Sequence, residues 1–327
     1  MNTATIHVIG AGAFGSALAY AWLQGGRTVQ LWCRDTAQAE ALNRHATNTK
    51  VADCPSLTGV KAGPLDRFEA TDPADIVVLA VKARAQAAVF RALKSKLHPA
   101  CAVVTASKGF ADDAGTLLSE AIQPKAGLAV LSGPSFAADL FANRPAALTL
   151  ATPGDANEAL AALSTNLLRL YHSDDPRGVQ VCGALKNVIA IACGCADGMG
   201  LGASARSALM TRGLREIERV IGAYQGDERT ATGLAGIGDL ALTCQDSQSR
   251  NHRFGFELGQ GQQASALLAK GTTVEGALAA QSLTTAIRTQ SLDLPILRAV
   301  SALVSDQISP QQLLTDLLAR SQTSDVG

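Results

Sequence analysis

Near the start of the chain, Gly10-Ala11-Gly12-Ala13-Phe14-Gly15 constrains the fold more than any other stretch. It follows an apolar run, Thr5–Ile9, and leads into a helix-like segment over residues 14–23. In a G-x-G-x-x-G turn the three glycines have separate tasks. They allow a tight turn, close approach of backbone to a pyrophosphate, and packing of helix on strand. The helix N-terminus adds amide donors and a positive dipole end. Alone the fingerprint is weak. Here a second strand-like run, 28–32, follows at roughly the 20-residue spacing of a dinucleotide-binding unit.

Further non-alternating apolar runs lie at 75–81, 102–106, 128–131 and 147–151, with helix-like segments at 37–43, 83–97 and 115–122. Runs of this kind fit strands buried on both faces of a parallel sheet. Past the turn-rich segment 173–178 the pattern becomes helical almost throughout, with Gly/Thr/Ser-rich joints at 194–204, 233–239 and 270–273. The expected fold is α/β: an N-terminal Rossmann doubly wound sheet over residues 1–177, followed by an all-α C-terminal domain over 178–327.

Charge excludes several functions. The 327 residues carry 28 Lys+Arg against 28 Asp+Glu, leaving no basic surplus for nucleic acid or an anionic membrane surface. Aromatics at 4% leave few base-stacking platforms, and 47% hydrophobic residues exclude disorder. The opening residues 1–5 carry no basic region of a signal peptide, and no uncharged apolar stretch of membrane-spanning length is evident. Seven cysteines (Cys33, Cys54, Cys101, Cys182, Cys193, Cys195 and Cys244) are odd in number and sit in apolar contexts, as reduced cytoplasmic thiols do. Cys193 and Cys195 are two apart, about 200° on a helix, so no metal site is expected there.

Polar residues in apolar surroundings mark the candidate chemistry. Lys186 and Asn187 lie in a helix-like stretch, 184–192, that is otherwise apolar all round and should be buried. Burial lowers a lysine pKa toward neutrality and suits it to proton transfer. Asp239 and Thr243 are four apart, on one face of a helix. Asp239 reads equally as the lysine's partner or as a helix cap after the glycines. Ser249-Arg250-Asn251 matches a phosphate or carboxylate, which the planar Arg fork binds bidentately. The strand-end loops 106–110 and 132–137 lie where doubly wound sheets bind ligands. Arg34 is placed to stack on adenine and pair a 2′-phosphate, or to be a solvated strand end; Asp35 reads as a ribose acid or a helix cap. That order tilts the choice toward NADP over NAD. Of the histidines His7, His45, His98, His172 and His252, none has a comparable placement; His252 reads as surface or as support behind the Arg-Asn pair.

With these residues in place the chain resembles, over essentially its full length, the bacterial NAD(P)-dependent glycerol-3-phosphate dehydrogenase family. The matching motifs are residues 9–15, Ser107-Lys108-Gly109, residues 132–137, Ala184-Leu185-Lys186-Asn187-Val188, Thr211-Arg212-Gly213-Leu214, residues 233–240, Ser249-Arg250-Asn251 and Val274-Glu275-Gly276. The resemblance implies that Lys186 exchanges the C2 hydroxyl proton as hydride moves between C2 and the nicotinamide, with Asp239 as its partner. It implies that Lys108 lies between cofactor and substrate, and that Ser249, Arg250 and Asn251 hold the substrate phosphate, Arg250 also reaching the cofactor. Ser135 would touch substrate, with Gly133, Asn187 and Thr243 beside it. Gly10, Gly12, Ala13, Phe14, Gly15, Arg34, Ala137 and Glu275 would line the dinucleotide. It also implies a homodimer and a product destined for phospholipid synthesis.

The chain departs from the family's pattern in three places. Segment 48–58 lacks the usual Tyr, Val81-Lys82-Ala83-Arg84 replaces Val-Pro-Ser, and Ser204 stands for an Asn. These departures bear on the cofactor pocket and on the choice between NADP and NAD. Lys82 and Arg84 read either as new cofactor contacts or as surface charge. Two other functions remain open: a hydroxyacid or ketopantoate-type reductase, which would not need Ser249-Arg250-Asn251 together with Lys108, and a non-catalytic NAD(P) sensor.

Overall fold

The computed structural model describes residues 4–152, 154, 157–271 and 273–318, so the opening residues 1–3 and position 272 of the joint 270–273 lie outside it. In chain order the first half contains β1 (Thr5–Ile9), α1 (Ala13–Gln24), β2 (Thr28–Cys33), α2 (Thr36–His45), β3 (Lys61–Pro64), β4 (Ile76–Leu79) and α3 (Ala83–Leu93). Then come β5 (Ala102–Thr105), α4 (Leu118–Ala121), β6 (Leu128–Ser132), α5 (Ala137–Phe141), β7 (Ala146–Ala151), α6 (Asn157–Leu163) and β8 (Leu168–Ser173). The strands form one sheet in the order β3-β2-β1-β4-β5-β6-β7-β8. Val8 of β1 lies level with Leu31 on one side and Val78 on the other, and all three are fully buried. The chain runs from β1 outward to β2 and β3, then crosses back to β4, so a ligand crevice opens above β1 and β4.

The sheet differs from the expected one in two respects. β7 runs antiparallel to β6, so the parallel order ends at β6. Two strands also lacked an apolar run. β3 is an edge strand, Lys-Ala-Gly-Pro, and Pro is tolerated there because no neighbour needs its amide. β8 is the other edge, and its Leu168 and Leu170 are buried while Arg169 and Tyr171 are exposed. The helix expected over 115–122 contracts to the four residues of α4, and α3 ends at Leu93, before a short 3-10 turn.

The second half is helical: α7 (Pro176–Gly198), α8 (Gly202–Ala223), α9 (Asp239–Gln245), α10 (Arg250–Gly259), α11 (Ala264–Ala269), α12 (Glu275–Thr285), α13 (Pro295–Val304) and α14 (Pro310–Leu318). Helix α7 is its axis. Asp175 caps it by accepting from the Gly178 amide at 2.9 Å, Pro176 supplies the preset φ of the first turn, and every residue from Gly178 to Ala196 is buried. By length and composition α7 suits a membrane span, yet its most apolar window lies wholly inside the protein.

The joint expected at 194–204 is helix up to Gly198, where Gly194 and Gly198 serve packing, and becomes a turn only beyond it, where Gly200 and Gly202 take positive φ. A Cβ on Gly194 would stand 2.0 Å from His252 O, and one on Gly198 2.2 Å from Phe256 O. Across the interface, Cβ atoms on Gly255 and Gly259 would stand 2.1 Å and 2.2 Å from Ile191 O and Cys195 O. Helices α7 and α10 therefore touch backbone to backbone through reciprocal G-x-x-x-G faces.

Replacing Gly255 with Ala tests this contact. Ala gains about 1 kcal/mol of helix propensity, but overpacking costs about 1–3 kcal/mol or more, and a rigid carbonyl 2.1 Å away cannot yield as a side chain does. Net destabilisation is expected in urea unfolding, larger for Val than for Ala. A stabilised Gly255→Ala would contradict it.

Buried Glu216 of α8 accepts from the Ile296 and Leu297 amides at 2.8 and 2.9 Å, capping α13 from a neighbouring helix. Burial pushes its carboxyl up to about 7 against those two bonds. Above the ordinary glutamate pKa of about 4.3 the unfolded chain has released a proton that the native protein still holds. This group's contribution is therefore full in acid and is lost as pH rises toward 7. Glu216→Gln should flatten that slope in thermal denaturation between pH 5 and pH 8; an unchanged slope would assign it elsewhere.

Candidate active site

The glycine turn forms as its sequence demands. Gly10 adopts φ +115°, and a Cβ there would strike Val81 and the Ala80 backbone at 2.9–3.0 Å. A Cβ on Gly15 would stand 2.0 Å from Gly10 O, so only Gly lets α1 sit so near the turn. Gly12 differs: a Cβ there meets nothing within 4 Å. Gly12 is also the N-cap of α1 and offers no side chain to its amides, so open space adjoins the free donors of the first turn, where Ala13 is exposed and Phe14 half-buried. A dinucleotide pyrophosphate fits this cradle.

Two residues outside the motif hold the turn. Asn48, almost fully buried, donates from Nδ2 to Ala11 O (3.0 Å) and to Ser16 Oγ (2.9 Å). Gln38 Nε2 donates to the same Ala11 carbonyl at 3.0 Å. Sequence reading missed both, since nothing in the spacing signals a contact 37 positions away. At the end of β2, Asp35 resolves as a cap: its Oδ1 accepts from the Gln38 amide at 2.6 Å and its Oδ2 pairs with Lys50 at 3.0 Å. Arg34 beside it is exposed and has no hydrogen bond or ion pair among the described residues.

Over the crevice, Lys186 of α7 is 5% exposed and Asp239 of α9 only 1%. Lys186 Nζ donates to Asp239 Oδ1 at 2.5 Å and to Thr243 Oγ1 at 2.7 Å. Thr243 in turn donates to the Asp239 carbonyl at 2.6 Å, one helical turn back. Asp239 begins α9, but Gly238 is the N-cap, and the carboxylate turns to the lysines. Its second oxygen accepts from Lys108 Nζ at 2.6 Å, while Lys108 also donates to Gly133 O at 3.0 Å and stands 6.0 Å from the centre of the Phe14 ring. Lys108 thus joins the sheet-end loops and glycine turn to the helical half.

One carboxylate between two ammonium groups leaves a surplus positive charge. Burial pushes the Lys186 amine down to about 7; Asp239 opposes the shift, and repulsion from Lys108 adds to it. An ammonium has three N–H positions, and two of those on Lys186 are engaged, which leaves one for a ligand oxygen.

A row of amides lies beside the cluster. Asn251 Nδ2 donates to Asn187 Oδ1 at 2.9 Å, Asn251 Oδ1 accepts from the Gly276 amide at 2.9 Å, and Asn187 Nδ2 donates to Gly183 O at 3.2 Å. Each side-chain amide keeps one N–H for a ligand. Ser249 caps α10, its Oγ accepting from the His252 amide at 3.2 Å, so its hydroxyl proton remains to donate. Arg250 is exposed and has no hydrogen bond or ion pair among the described residues. Ser135 Oγ is buried without a partner among the described residues, as is Ser132 Oγ at the end of β6. Gly133 takes φ +145° against Leu148, and Ala137 opens α5.

The structure narrows other readings. His252 is not a surface residue: it is buried, and Nε2 lies 2.9 Å from Asp197 Oδ2, while Arg206 Nη1 reaches both Asp197 oxygens at 2.8 Å. Lys82 and Arg84 are exposed charges, and both reach the helical half: Lys82 donates to Thr273, and Arg84 donates to Ser282 while pairing with Asp113 of its own half. Among the described residues no cluster of three His, Cys, Asp or Glu could hold a metal.

Asp239→Asn removes the charge that holds the Lys186 amine up. Lys186 should then titrate below its native value when its Nζ is followed by NMR; an unchanged or raised value would mean that Asp239 does not hold the amine up.

Comparisons with known proteins identify the family of the chain. Residues 5–158 match the profile of the NAD-dependent glycerol-3-phosphate dehydrogenase N-terminus, and residues 175–315 that of its C-terminus. A glycerol-3-phosphate dehydrogenase [NAD(P)+] of Halorhodospira halophila is 41% identical over 331 aligned positions, covering 98% of each chain. The crystal structure of a glycerol-3-phosphate dehydrogenase from Coxiella burnetii superposes with a TM-score of 0.87 at 32% identity, covering 97% of this chain and 99% of that one. A ketopantoate reductase of Staphylococcus aureus shares the fold alone, with a TM-score of 0.51 at 15% identity.

Proposed function

Since the chain belongs to the NAD-dependent glycerol-3-phosphate dehydrogenase family, we propose that its cleft interconverts dihydroxyacetone phosphate and sn-glycerol 3-phosphate as follows. The observation that carries the mechanism is the buried Lys186 amine, pushed to about 7 and held by Asp239 and Thr243 with one N–H position free. A group titrating near neutrality gives and takes a proton with little penalty in either direction. In reduction, Lys186 protonates the oxygen at C2 as it becomes an alkoxide; in oxidation, its neutral amine removes the hydroxyl proton. The nicotinamide, when bound, supplies or accepts the hydride at C2.

Asp239 fixes the amine and offsets the charge on Lys186 and Lys108. Lys108, between Phe14 and Asp239, polarises the substrate on the cofactor side. The free donors of Ser249, Arg250, Asn251 and Asn187 receive the phosphate, strengthened by the N-terminus of α10. Ser135, whose buried hydroxyl has no partner among the described residues, and the Gly133 backbone border the substrate, and Thr243 acts through Lys186. Gly10, Gly12, Ala13, Phe14 and Gly15 cradle the pyrophosphate; Arg34, exposed at the end of β2, takes a ribose 2′-phosphate and favours NADP over NAD; Ala137 and Glu275 line the nicotinamide end, where Arg250 also reaches.

In this reading residues 1–177 bind the dinucleotide and 178–327 carry the substrate chemistry, the enzyme is a cytoplasmic homodimer, and its product feeds glycerophospholipid synthesis. The full set of phosphate donors favours this function over a carboxylate-binding reductase or a silent sensor.

Oxidation of NADPH and NADH with dihydroxyacetone phosphate tests the assignment, and no turnover with either would overturn it. Lys186→Ala should abolish turnover while cofactor binding, read by fluorescence, persists. Arg250→Ala should raise KM for dihydroxyacetone phosphate by about 30-fold or more, the scale of a lost charge-assisted pair. Near-native kcat in Lys186→Ala would overturn the mechanism.

A further inference from the structure

Helix α12 begins where the two halves of the cleft meet, and its own sequence does not cap it. Val274, at the N-cap, has no side-chain oxygen for the first-turn amides. One of them, on Gly276, is taken by Asn251 Oδ1 at 2.9 Å, from the amide row of the helical half. On the other side Thr273, one residue before the cap, accepts from Lys82 Nζ at 2.5 Å, across 191 positions of chain. Lys82 stands between β4 and α3, on the sheet side of the cleft.

Nearby contacts run the same way. Arg84 pairs with Asp113 and donates to Ser282 Oγ in α12 at 3.3 Å, and Ser282 donates to the Asp112 carbonyl at 2.9 Å. Glu275, the first residue of α12, is half-buried, and its Oε2 would stand 3.3 Å from a Cβ on Gly109, next to Lys108. The positive charges of Arg250, Lys82 and Arg84 act on its carboxylate and partly offset the burial that raises its pKa.

We propose that Lys82, acting through Thr273, is a positioning residue that holds the start of α12, and with it Glu275, against the Lys108 loop, so that the nicotinamide-side rim of the cleft is assembled before ligand binds. The inference rests on the reading of that cleft as the dinucleotide site. An uncapped helix start frays. Tethering Thr273 from the sheet side, while Asn251 tethers Gly276 from the substrate side, fixes Glu275 relative to both. The exposed tether is a modest interaction, and its loss is worth about fivefold in an equilibrium or rate constant.

The test uses Lys82→Ala, Thr273→Val, the double variant and Lys82→Arg. In the protein without cofactor, amide hydrogen exchange over residues 275–278 should rise in both single variants. It should rise no further in the double variant, because both changes remove one interaction. Lys82→Arg should restore native exchange. With cofactor present, KM for the nicotinamide cofactor should rise about fivefold in each single variant while kcat changes less than about twofold. Native exchange in Lys82→Ala, or additive effects in the double variant, would overturn the proposal. If exchange responds as expected but the native enzyme does not turn over dihydroxyacetone phosphate with either cofactor, the tether stands and the reading of the cleft falls.

Discussion

Helix α7 is surrounded so closely that its neighbours must present glycine. Gly255 and Gly259 of α10 meet its carbonyls, Gly276 of α12 would place a Cβ 2.5 Å from Asn187 O, and Gly213 of α8 would meet the Ile189 side chain at 2.6 Å. This close packing decides where the chemistry sits. A helix apolar on every side can be solvated nowhere, so it becomes the axis on which the other helices stack. Lys186 and Asn187 are carried into that axis about one turn on from Gly183, where a Cβ would stand 3.2 Å from Ser132 Oγ at the end of β6. The nearness of α10 and α12 brings Asn251 and Gly276 within hydrogen-bond reach of Asn187.

An ammonium buried there would carry a large desolvation penalty if unpaired. Asp239 offsets it and serves Lys108 as well, so a single carboxylate joins the sheet side of the cleft to the helical side. With Lys186 protonated, two cations on one anion leave the site positive although the chain as a whole carries 28 charges of each sign. Global balance therefore says nothing against an anionic ligand: a small phosphate needs local complementarity, which Lys108, Arg250 and the start of α10 concentrate.

Periodicity made the interior strands legible, since β1, β2, β4, β5 and β6 are apolar runs buried on both faces. It failed at the edges. β3 pairs on one side only and needs little apolar content, and the burial of β8 alternates too briefly to stand out. The glycines at 194 and 198 were misread as a joint because a glycine required for helix contact looks, in sequence, like one required for a turn. Asn48 and Gln38 left no trace, for their partner is a backbone carbonyl in a distant turn.

The order of residues by itself determined the glycine turn and its helix, the buried character of α7 with its anomalous lysine, and the spacing of Asp239 and Thr243 on one face. These are local properties, set by φ freedom, solvation and the 3.6-residue period. Tertiary structure decided which groups meet. It made Asp35 a cap, spread Asp239 over two lysines, drew His252 inward to Asp197 and sent Lys82 across the cleft to Thr273. Each of these joins positions whose separation in the chain carries no energetic signature until packing brings them within a few ångströms.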